Sequence, residues 1–245
     1  MILALNTSTP QFGLAMMEED GTILAEYFMS REKGFGSLMP ALHFLLSKLK
    51  ADIHDQKAVI VATGPGSFTG LRVGLSAAKG LCHALEIPII GISSLEAMAS
   101  QLPYPDLPIV PILYSRKNEF YTAQFIRNNG NNLTRNMEDT AIKIDDFPSI
   151  FENPSLFIGN DFSKQAHVIK KLLGSFALLA PAHFWSLKAS AVGALGLKRF
   201  HAHDFDEPQT LDPLYLRPPD IRPKPAPLMT GSQGTGDRQK WNKDF

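Results

Sequence analysis

The chain carries the same order of strands and helices twice, and this repetition restricts its fold more than any other feature. In each half, three short apolar strands joined by polar turns precede alternating helices and strands. Strands joined by tight turns pair antiparallel, whereas strands separated by helices pair parallel through crossovers. Each half therefore predicts a mixed sheet covered by helices, and the predicted fold class is α/β.

A proline-rich segment separates the two halves. Three prolines lie within residues 102–108, which marks this segment as a boundary. We predict an N-terminal domain over 1–102 and a C-terminal domain over 103–217. The predicted elements are strands 2–5, 12–17 and 22–28, helix 37–50, strand 58–63, helix 69–85, strand 87–92, helix 94–101, then strands 109–114, 120–126 and one from 133, strand 156–158, helix 163–173, strand 177–179 and helix 187–200.

The composition changes after residue 217. Five prolines lie within 218–227, and a glycine-rich run follows them. Such a segment buries too little apolar surface to offset the entropy lost on ordering. We therefore predict a disordered Pro- and Gly-rich tail over 218–245. A solvated extension is favoured over a nucleic-acid-binding arm.

Charge, cysteine content and hydropathy exclude several classes of protein. Lys+Arg and Asp+Glu number 24 each, so no overall field draws the chain to nucleic acid or to an anionic membrane. The single cysteine, Cys82, cannot form an internal disulfide, which suits a reducing compartment. No apolar run reaches the roughly 18 residues of a membrane span, and the N-terminus lacks the basic region of a signal peptide. We expect a cytoplasmic protein that does not associate with membranes.

A glycine-rich segment over residues 64–74 connects an apolar strand to helix 69–85. Glycine permits close backbone approach, and Ser67 or Thr69 is a suitable N-cap whose helix terminus can accept an anion. The segment lacks the lysine of a P-loop, and no acidic residue ends the next strand, as a dinucleotide-binding fold requires. The residues of this glycine-rich loop are Gly64, Pro65, Gly66, Ser67, Phe68, Thr69 and Arg72.

Two helices carry small and apolar residues that indicate close packing. One face of helix 69–85 presents glycine or alanine every four residues, although glycine inside a helix costs about 1 kcal/mol relative to alanine. That face fits either packing on the chain's own sheet or docking of another helix. Helix 37–50 is apolar over more than half its circumference, whereas a core-facing stripe needs only about 100°, and this favours a partner. The predicted partner-binding residues are Leu38, Leu42, Leu45, Leu46, Gly70, Leu71, Gly74 and Ala78.

Several of these segments resemble the bacterial TsaB (YeaZ) family in order and spacing. The resemblance spans about 1–217, and the run over 64–72 is highly specific. It implies an actin-like (sugar kinase/Hsp70/actin) ATPase-type fold with two RNase H-like subdomains, each a mixed sheet flanked by helices. The matching residues are 2–8, 64–74, 79–81 and 87–96, with Arg116, Glu119, Tyr121 and 213–217 as later landmarks.

The resemblance also implies a function. Members of the family are non-catalytic partners and activators of TsaD, which transfers the threonylcarbamoyl group in forming N6-threonylcarbamoyladenosine (t6A) at position 37 of tRNA. They contact TsaD through two N-terminal helices, which correspond here to 37–50 and 69–85. We therefore expect a TsaD-like subunit and a TsaE-like ATPase as partners, tRNA contacted indirectly through the complex, and a homodimer when the chain is alone.

Two positions depart from active actin-like ATPases, in which the first hairpin of each subdomain supplies an Asp that helps to hold Mg²⁺. Asn6 and Tyr114 stand at these places, the second where the family usually has Asp-Ala-Arg. Neither side chain has the formal charge that a hard cation requires. We therefore predict no catalytic residue, metal or cofactor for this chain. The degenerate phosphate-hairpin positions are Asn6, Thr7, Ser8, Tyr114, Ser115 and Arg116.

The alternative prediction is a stand-alone metallopeptidase (glycoprotease-like) or nucleotide hydrolase. The catalytic relatives carry a His-x-x-x-His pair, but no two of the seven histidines here are four residues apart. His201 and His203 are two apart, and such residues point away from each other on a helix. Cys82 lies in the apolar row of its helix, which is typical of a buried, inert thiol.

Overall fold

The computed structural model describes residues 1–30, 35–103, 107–128 and 132–217. The predicted tail over 218–245 and the centre of the proline-rich boundary segment lie outside these ranges. The first half contains β1 (Ile2–Asn6), β2 (Gln11–Met17), β3 (Ile23–Ser30), α1 (Leu38–Leu49), β4 (Ala58–Gly64), α2 (Phe68–Leu85), β5 (Ile89–Ser93) and α3 (Ser94–Ser100). The second half contains β6 (Ile109–Arg116), β7 (Glu119–Arg127), β8 (Leu133–Lys143), α4 (Phe147–Ile150), β9 (Ser155–Ile158), α5 (Phe162–Leu173), β10 (Ala177–Leu179) and α6 (Ala189–His201).

The two halves form two five-stranded mixed sheets with the same topology. Their strand orders are β3-β2-β1-β4-β5 and β8-β7-β6-β9-β10. In each sheet the first three strands pair antiparallel and the last two join in parallel. This arrangement confirms the predicted α/β class and the two RNase H-like subdomains of an actin-like fold.

The first sheet is buried on both faces. Along β1, Ile2 and Ala4 belong to one hydrophobic core, whereas Leu3 and Leu5 belong to the other. Successive strand residues point to opposite faces, so an unbroken apolar strand requires a layer on each side. The helices α1 and α2 cover one face, and α6 covers the other.

The last helix packs against the sheet of the other half of the chain. An added Cβ at Gly193 would lie 2.4 Å from Met17 Sδ, and one at Gly196 would lie 2.3 Å from Ile60 Cγ2. In the opposite direction, α3 packs against β6 and β7 of the second sheet. The predicted division at 102/103 therefore separates the two sheets, but it does not separate the layers that cover them.

Within the described ranges, one short α-helix was not predicted from the sequence. Helix α4 has four residues and includes a proline in its first turn, so it is too short to show a helical period. Its Phe147 contacts Phe120 and Phe151, and Phe151 contacts Phe157, with ring centroids 5.2–5.7 Å apart. These rings fill the second sheet's core. None of the helices in the described ranges combines the length and apolar character of a membrane span.

Candidate docking face and the glycine junction

The glycine-rich loop is a junction at which the chain packs tightly on itself. At Gly66 an added Cβ would lie 2.2 Å from the carbonyl oxygen of Ser8, and at Gly74 it would lie 2.0 Å from Thr7 Oγ1. Real Cβ atoms essentially never approach other atoms so closely. Because glycine has no Cβ, the turn that follows β1 can pack directly against both positions. This explains the small face of α2 by packing within the chain.

The backbone amides at the start of α2 are hydrogen-bonded to other groups of the same chain. The amide of Ser67 donates to the Ser8 carbonyl at 2.7 Å. Of the two predicted N-cap candidates, Ser67 is the one observed, because its Oγ accepts from the Gly70 amide at 3.2 Å. The amide of Leu71 donates to the Ser67 carbonyl at 2.8 Å. These three donors are therefore already used within the junction, and the loop does not present them to an anion.

The first phosphate-hairpin position is sealed. Asn6, Thr7 and Ser8 are almost fully buried. The Asn6 Nδ2 donates to the Leu187 carbonyl at 2.8 Å, and its Oδ1 accepts from the amide and hydroxyl of Ser8 at 3.0 and 2.8 Å. Thr7 Oγ1 donates to the Gly70 carbonyl at 2.7 Å. Both polar ends of the Asn6 side chain thus have partners inside this chain.

The second hairpin remains open. Tyr114 is 42% exposed, and its partial burial, with the nearby Asp161 carboxylate, raises the pKa of its phenol. Glu119 is buried and accepts from Ser115 Oγ at 2.7 Å. Arg116 Nε lies 3.5 Å from the same carboxylate. This hairpin therefore holds a carboxylate, but the carboxylate is already neutralised by arginine.

These two hairpins do not fit a magnesium-bound phosphate. The amide of Asn6 has no charge and no free acceptor for a cation, and Tyr114 offers a phenol whose raised pKa keeps it neutral. Across the described ranges, no group of three or more His, Cys, Asp or Glu side chains could hold a metal ion. Asn6 and Tyr114 themselves therefore offer no charged ligand for such a cation.

Two other candidate groups lie outside these hairpins. Cys82 is buried against the core under α2, and desolvation raises the pKa of its thiol to about 12. A thiol with that pKa carries almost no thiolate near neutral pH. His201 Nε2 bonds the carbonyl oxygen of Glu19 at 2.8 Å, whereas His203 lies beyond the end of α6. The two histidines do not form a ligand pair.

The structure places most of the predicted partner-binding residues in the interior of the chain. Seven of the eight are buried within this chain, and Leu46 is half-buried. The inner faces of α1 and α2 pack on β1, β2 and β4, and this packing removes those side chains from any surface. The buried seven are Leu38, Leu42, Leu45, Gly70, Leu71, Gly74 and Ala78.

The same two helices carry a second apolar set, which shares only Leu46 with the predicted residues. On α1, Met39 is 50% and Phe44 is 48% exposed. On α2, Val73, Ala77 and Leu81 recur every four residues and are half-buried. Both helices cover the same face of the first sheet, and all of these residues except Met39 and Phe44 also pack partly against the core beneath the helices. We name this set the α1–α2 face, and it consists of Met39, Phe44, Leu46, Leu49, Val73, Ala77 and Leu81.

Comparison with known proteins distinguishes among families that share this topology. A family model described as "TsaD: tRNA N6-adenosine threonylcarbamoyltransferase" matches residues 35–202. The Bacillus subtilis tRNA threonylcarbamoyladenosine biosynthesis protein TsaB is 34% identical over 220 residues, which cover 88% of this chain and 93% of that protein. The chain belongs to the TsaB (YeaZ) family. Membership confirms the resemblance inferred from the run over residues 64–72.

Further members of the TsaB family agree with this assignment. The Escherichia coli TsaB is 30% identical over 128 residues, which cover 51% of this chain and 55% of that protein. The solved structure of YeaZ from Pseudomonas aeruginosa has a TM-score of 0.72 at 19% identity, covering 88% of this chain and 99% of that one. The structural likeness shows that this TsaB family chain has the YeaZ fold.

Proposed function

We propose that this chain is a non-catalytic partner and activator of a TsaD-like threonylcarbamoyltransferase that forms t6A on tRNA. The names of its relatives refer to threonylcarbamoyladenosine biosynthesis, and the matching family model is described by the transferase itself. The observation that carries the proposal is the sealed first hairpin, in which Asn6 replaces a cation-holding Asp and bonds only to its own chain. A chain of this fold that lacks the cation-holding carboxylate acts by binding a catalytic partner.

The TsaD-like subunit docks on the α1–α2 face. Half-exposed apolar residues such as Val73, Ala77 and Leu81 gain further burial when a second apolar surface covers them. Gly80, beside them on α2, has no atom within 4 Å of an added Cβ, so a partner backbone can approach closely there. A TsaE-like ATPase joins this pair, tRNA is contacted through the complex, and the assembly works in the cytoplasm. A homodimer uses the same face when the partner is absent.

The decisive experiment is the variant Ala77→Glu, measured by calorimetric titration with the TsaD-like subunit. Ala77 is half-buried on the outer side of α2, so a carboxylate there is tolerated by the isolated chain but must be desolvated in the complex. We expect the affinity to fall by about 100-fold and t6A formation to fall with it. Leu42→Glu and Gly74→Glu would unfold the chain, because both positions are buried.

The matched control is Lys171→Glu, an exposed position on α5 of the second subdomain. We expect this variant to bind as the wild type does. If Ala77→Glu also binds as the wild type does, docking on the α1–α2 face is contradicted. Stoichiometric binding of a divalent metal or turnover of ATP by the isolated chain would instead support the alternative enzyme function.

A further inference from the structure

Residues 204–217 follow α6, cross the first subdomain and reach the second. We name this segment the strap. It begins along the edge of the first sheet, where the amide of Asp206 donates to the Ile89 carbonyl at 3.0 Å. The Asp206 carboxylate in turn accepts from the Gly91 amide at 2.7 Å. Strand β5 is an edge strand, so the strap occupies bonding groups that would otherwise be unpaired.

The strap then lies directly on the glycine-rich loop. The amide of Leu214 donates to the Thr63 carbonyl at 2.8 Å. At Gly64, where φ is +116°, an added Cβ would lie 3.0 Å from the carbonyl oxygen of Leu214. A positive φ and this close approach both favour glycine. Because Gly64 has no Cβ, the strap can pack directly against it, in the same way as the turn after β1 packs against Gly66.

Tyr215 connects the strap to the first turns of α2. Its ring lies 5.0 Å from the ring of Phe68, between centroids, and its hydroxyl accepts from Arg72 Nε at 3.0 Å. The guanidinium of Arg72 lies 3.9 Å from the centroid of the Phe68 ring. Aromatic pairs and cation–π contacts each add stabilisation beyond the area that they bury. The N-terminal end of α2 is thus held from outside by one strap residue.

Arg217 connects the strap to the second subdomain. Its guanidinium pairs with the carboxylate of Glu119, the first residue of β7, which is buried. A buried carboxylate requires neutralisation, and Arg217 shares this role with Arg116, whose Nε lies 3.5 Å from the same carboxylate. The strap therefore joins the start of α2 to the hairpin of the other sheet.

We infer that the strap positions α2 for partner binding, and that Tyr215 and Arg217 are positioning residues that act through this helix. The inference rests on the proposed function, because α2 supplies Val73, Ala77 and Leu81 to the α1–α2 face. A helix that is already ordered loses less conformational freedom when a partner binds, so the same contacts give a higher affinity. The strap thus orders α2 in the free chain, and this order raises the affinity for the partner.

The test compares Tyr215→Ala with Tyr215→Phe in the full chain. Hydrogen exchange of the Gly70 and Leu71 amides is measured in the isolated protein, and affinity is measured with the TsaD-like subunit. We expect Tyr215→Ala to lower both exchange protection and affinity by about threefold to tenfold. Tyr215→Phe keeps the ring and is expected to restore most of both. Circular dichroism establishes that the variants are folded, and Lys171→Glu serves as the unaffected control.

The two measurements separate the possible explanations. Lost affinity with unchanged protection would mean that Tyr215 contacts the partner directly, and this would overturn the inference. Unchanged protection and unchanged affinity would overturn it too. If the wild type does not bind the TsaD-like subunit, the proposed function fails. Lost protection in Tyr215→Ala would then still support the hold of the strap on α2.

A double-mutant cycle tests the second anchor. Arg217→Ala and Glu119→Gln are measured singly and together, again by exchange protection of the start of α2. We expect Arg217→Ala to lower protection clearly in the wild-type background and by less than half as much beside Glu119→Gln, because the pair is then already broken. Equal effects in both backgrounds would show that Arg217 does not act through Glu119.

Discussion

The hairpin after β1 and the hairpin after β6 occupy the same place in two copies of one topology, yet one is sealed and the other is open. Asn6 and Thr7 are buried and bonded within the chain, whereas Tyr114 is 42% exposed. Both hairpins pair antiparallel, although the second has a register shift between Tyr114 and Arg116 that the first lacks. The elements packed against the two hairpins also differ.

The helices beside the two hairpins differ in residue size. Gly66 and Gly74 let the first hairpin approach α2 and its loop until backbone and side-chain atoms touch. Helix α5, which follows β9, contains no glycine. The N-cap of α5 is Asp161, whose carboxylate is bound by Ser163 and Lys164. Burial of Asp161 acts to raise the pKa of this carboxyl, but these bonds outweigh burial and the pKa is lowered. In a duplicated fold, one of two equivalent hairpins can thus be sealed when small residues permit closer packing.

The largest expected effect is on the sealed side, from Gly66→Ala. The new Cβ would lie 2.2 Å from the Ser8 carbonyl oxygen, a backbone atom that cannot turn away. We expect a loss of about 3 kcal/mol in the free energy of unfolding, measured by denaturant titration. The control is Gly80→Ala on α2, where nothing lies within 4 Å, and we expect it to gain about 1 kcal/mol. Equal stability of the two variants would contradict a tight junction.

A carboxylate placed in each hairpin sharpens the comparison. Asn6→Asp puts an oxygen where Nδ2 donates to the Leu187 carbonyl, and we expect a cost of about 2–4 kcal/mol at neutral pH. Tyr114→Asp on the open side loses one ring contact with Phe120, at a cost of about 1 kcal/mol. Thermal unfolding of both variants measures the difference.

The pH dependence of Asn6→Asp gives a second measurement. Burial beside the Leu187 carbonyl raises the folded pKa of the new carboxyl above its unfolded value. The destabilisation is therefore full above the folded pKa and is relieved as the pH falls, because the protonated carboxyl can donate to that carbonyl. A cost that grows towards acidic pH would show that the side chain has left the buried site.

The smallest expected difference in stability is between variants that lose one side-chain hydroxyl from each hairpin. Thr7→Val removes the bond to the Gly70 carbonyl and leaves that oxygen buried, at a cost of about 1–2 kcal/mol. Ser115→Ala removes one bond to Glu119, which keeps Arg116 and Arg217, so we expect less than about 1 kcal/mol. Chemical denaturation of the two variants checks the order, and a larger loss for Ser115→Ala would reverse the comparison.

The order of strands along the chain, the class of fold, the family and an N-cap at Ser67 or Thr69 could all be predicted from the sequence. These features depend on short-range patterns: turn residues, apolar periodicity and a compact motif. The choice of partner-facing residues could not be made from such patterns. The spacing of apolar residues on α1 and α2 showed that two sides are apolar. However, residues chosen for the partner, such as Leu42 and Gly74, are buried on the side that packs against the sheet.

What the sequence alone determined is which residues are apolar, small or turn-forming, and hence two sheets of one topology. Only the tertiary structure decided which layer covers each apolar face, because that depends on contacts between residues far apart in the chain. The packing of α6 on the first sheet, the contact of Gly74 with Thr7, and the strap from Asp206 to Arg217 are all of this kind. No local period records such contacts, since each side chain meets its partner only after the chain has closed a long loop.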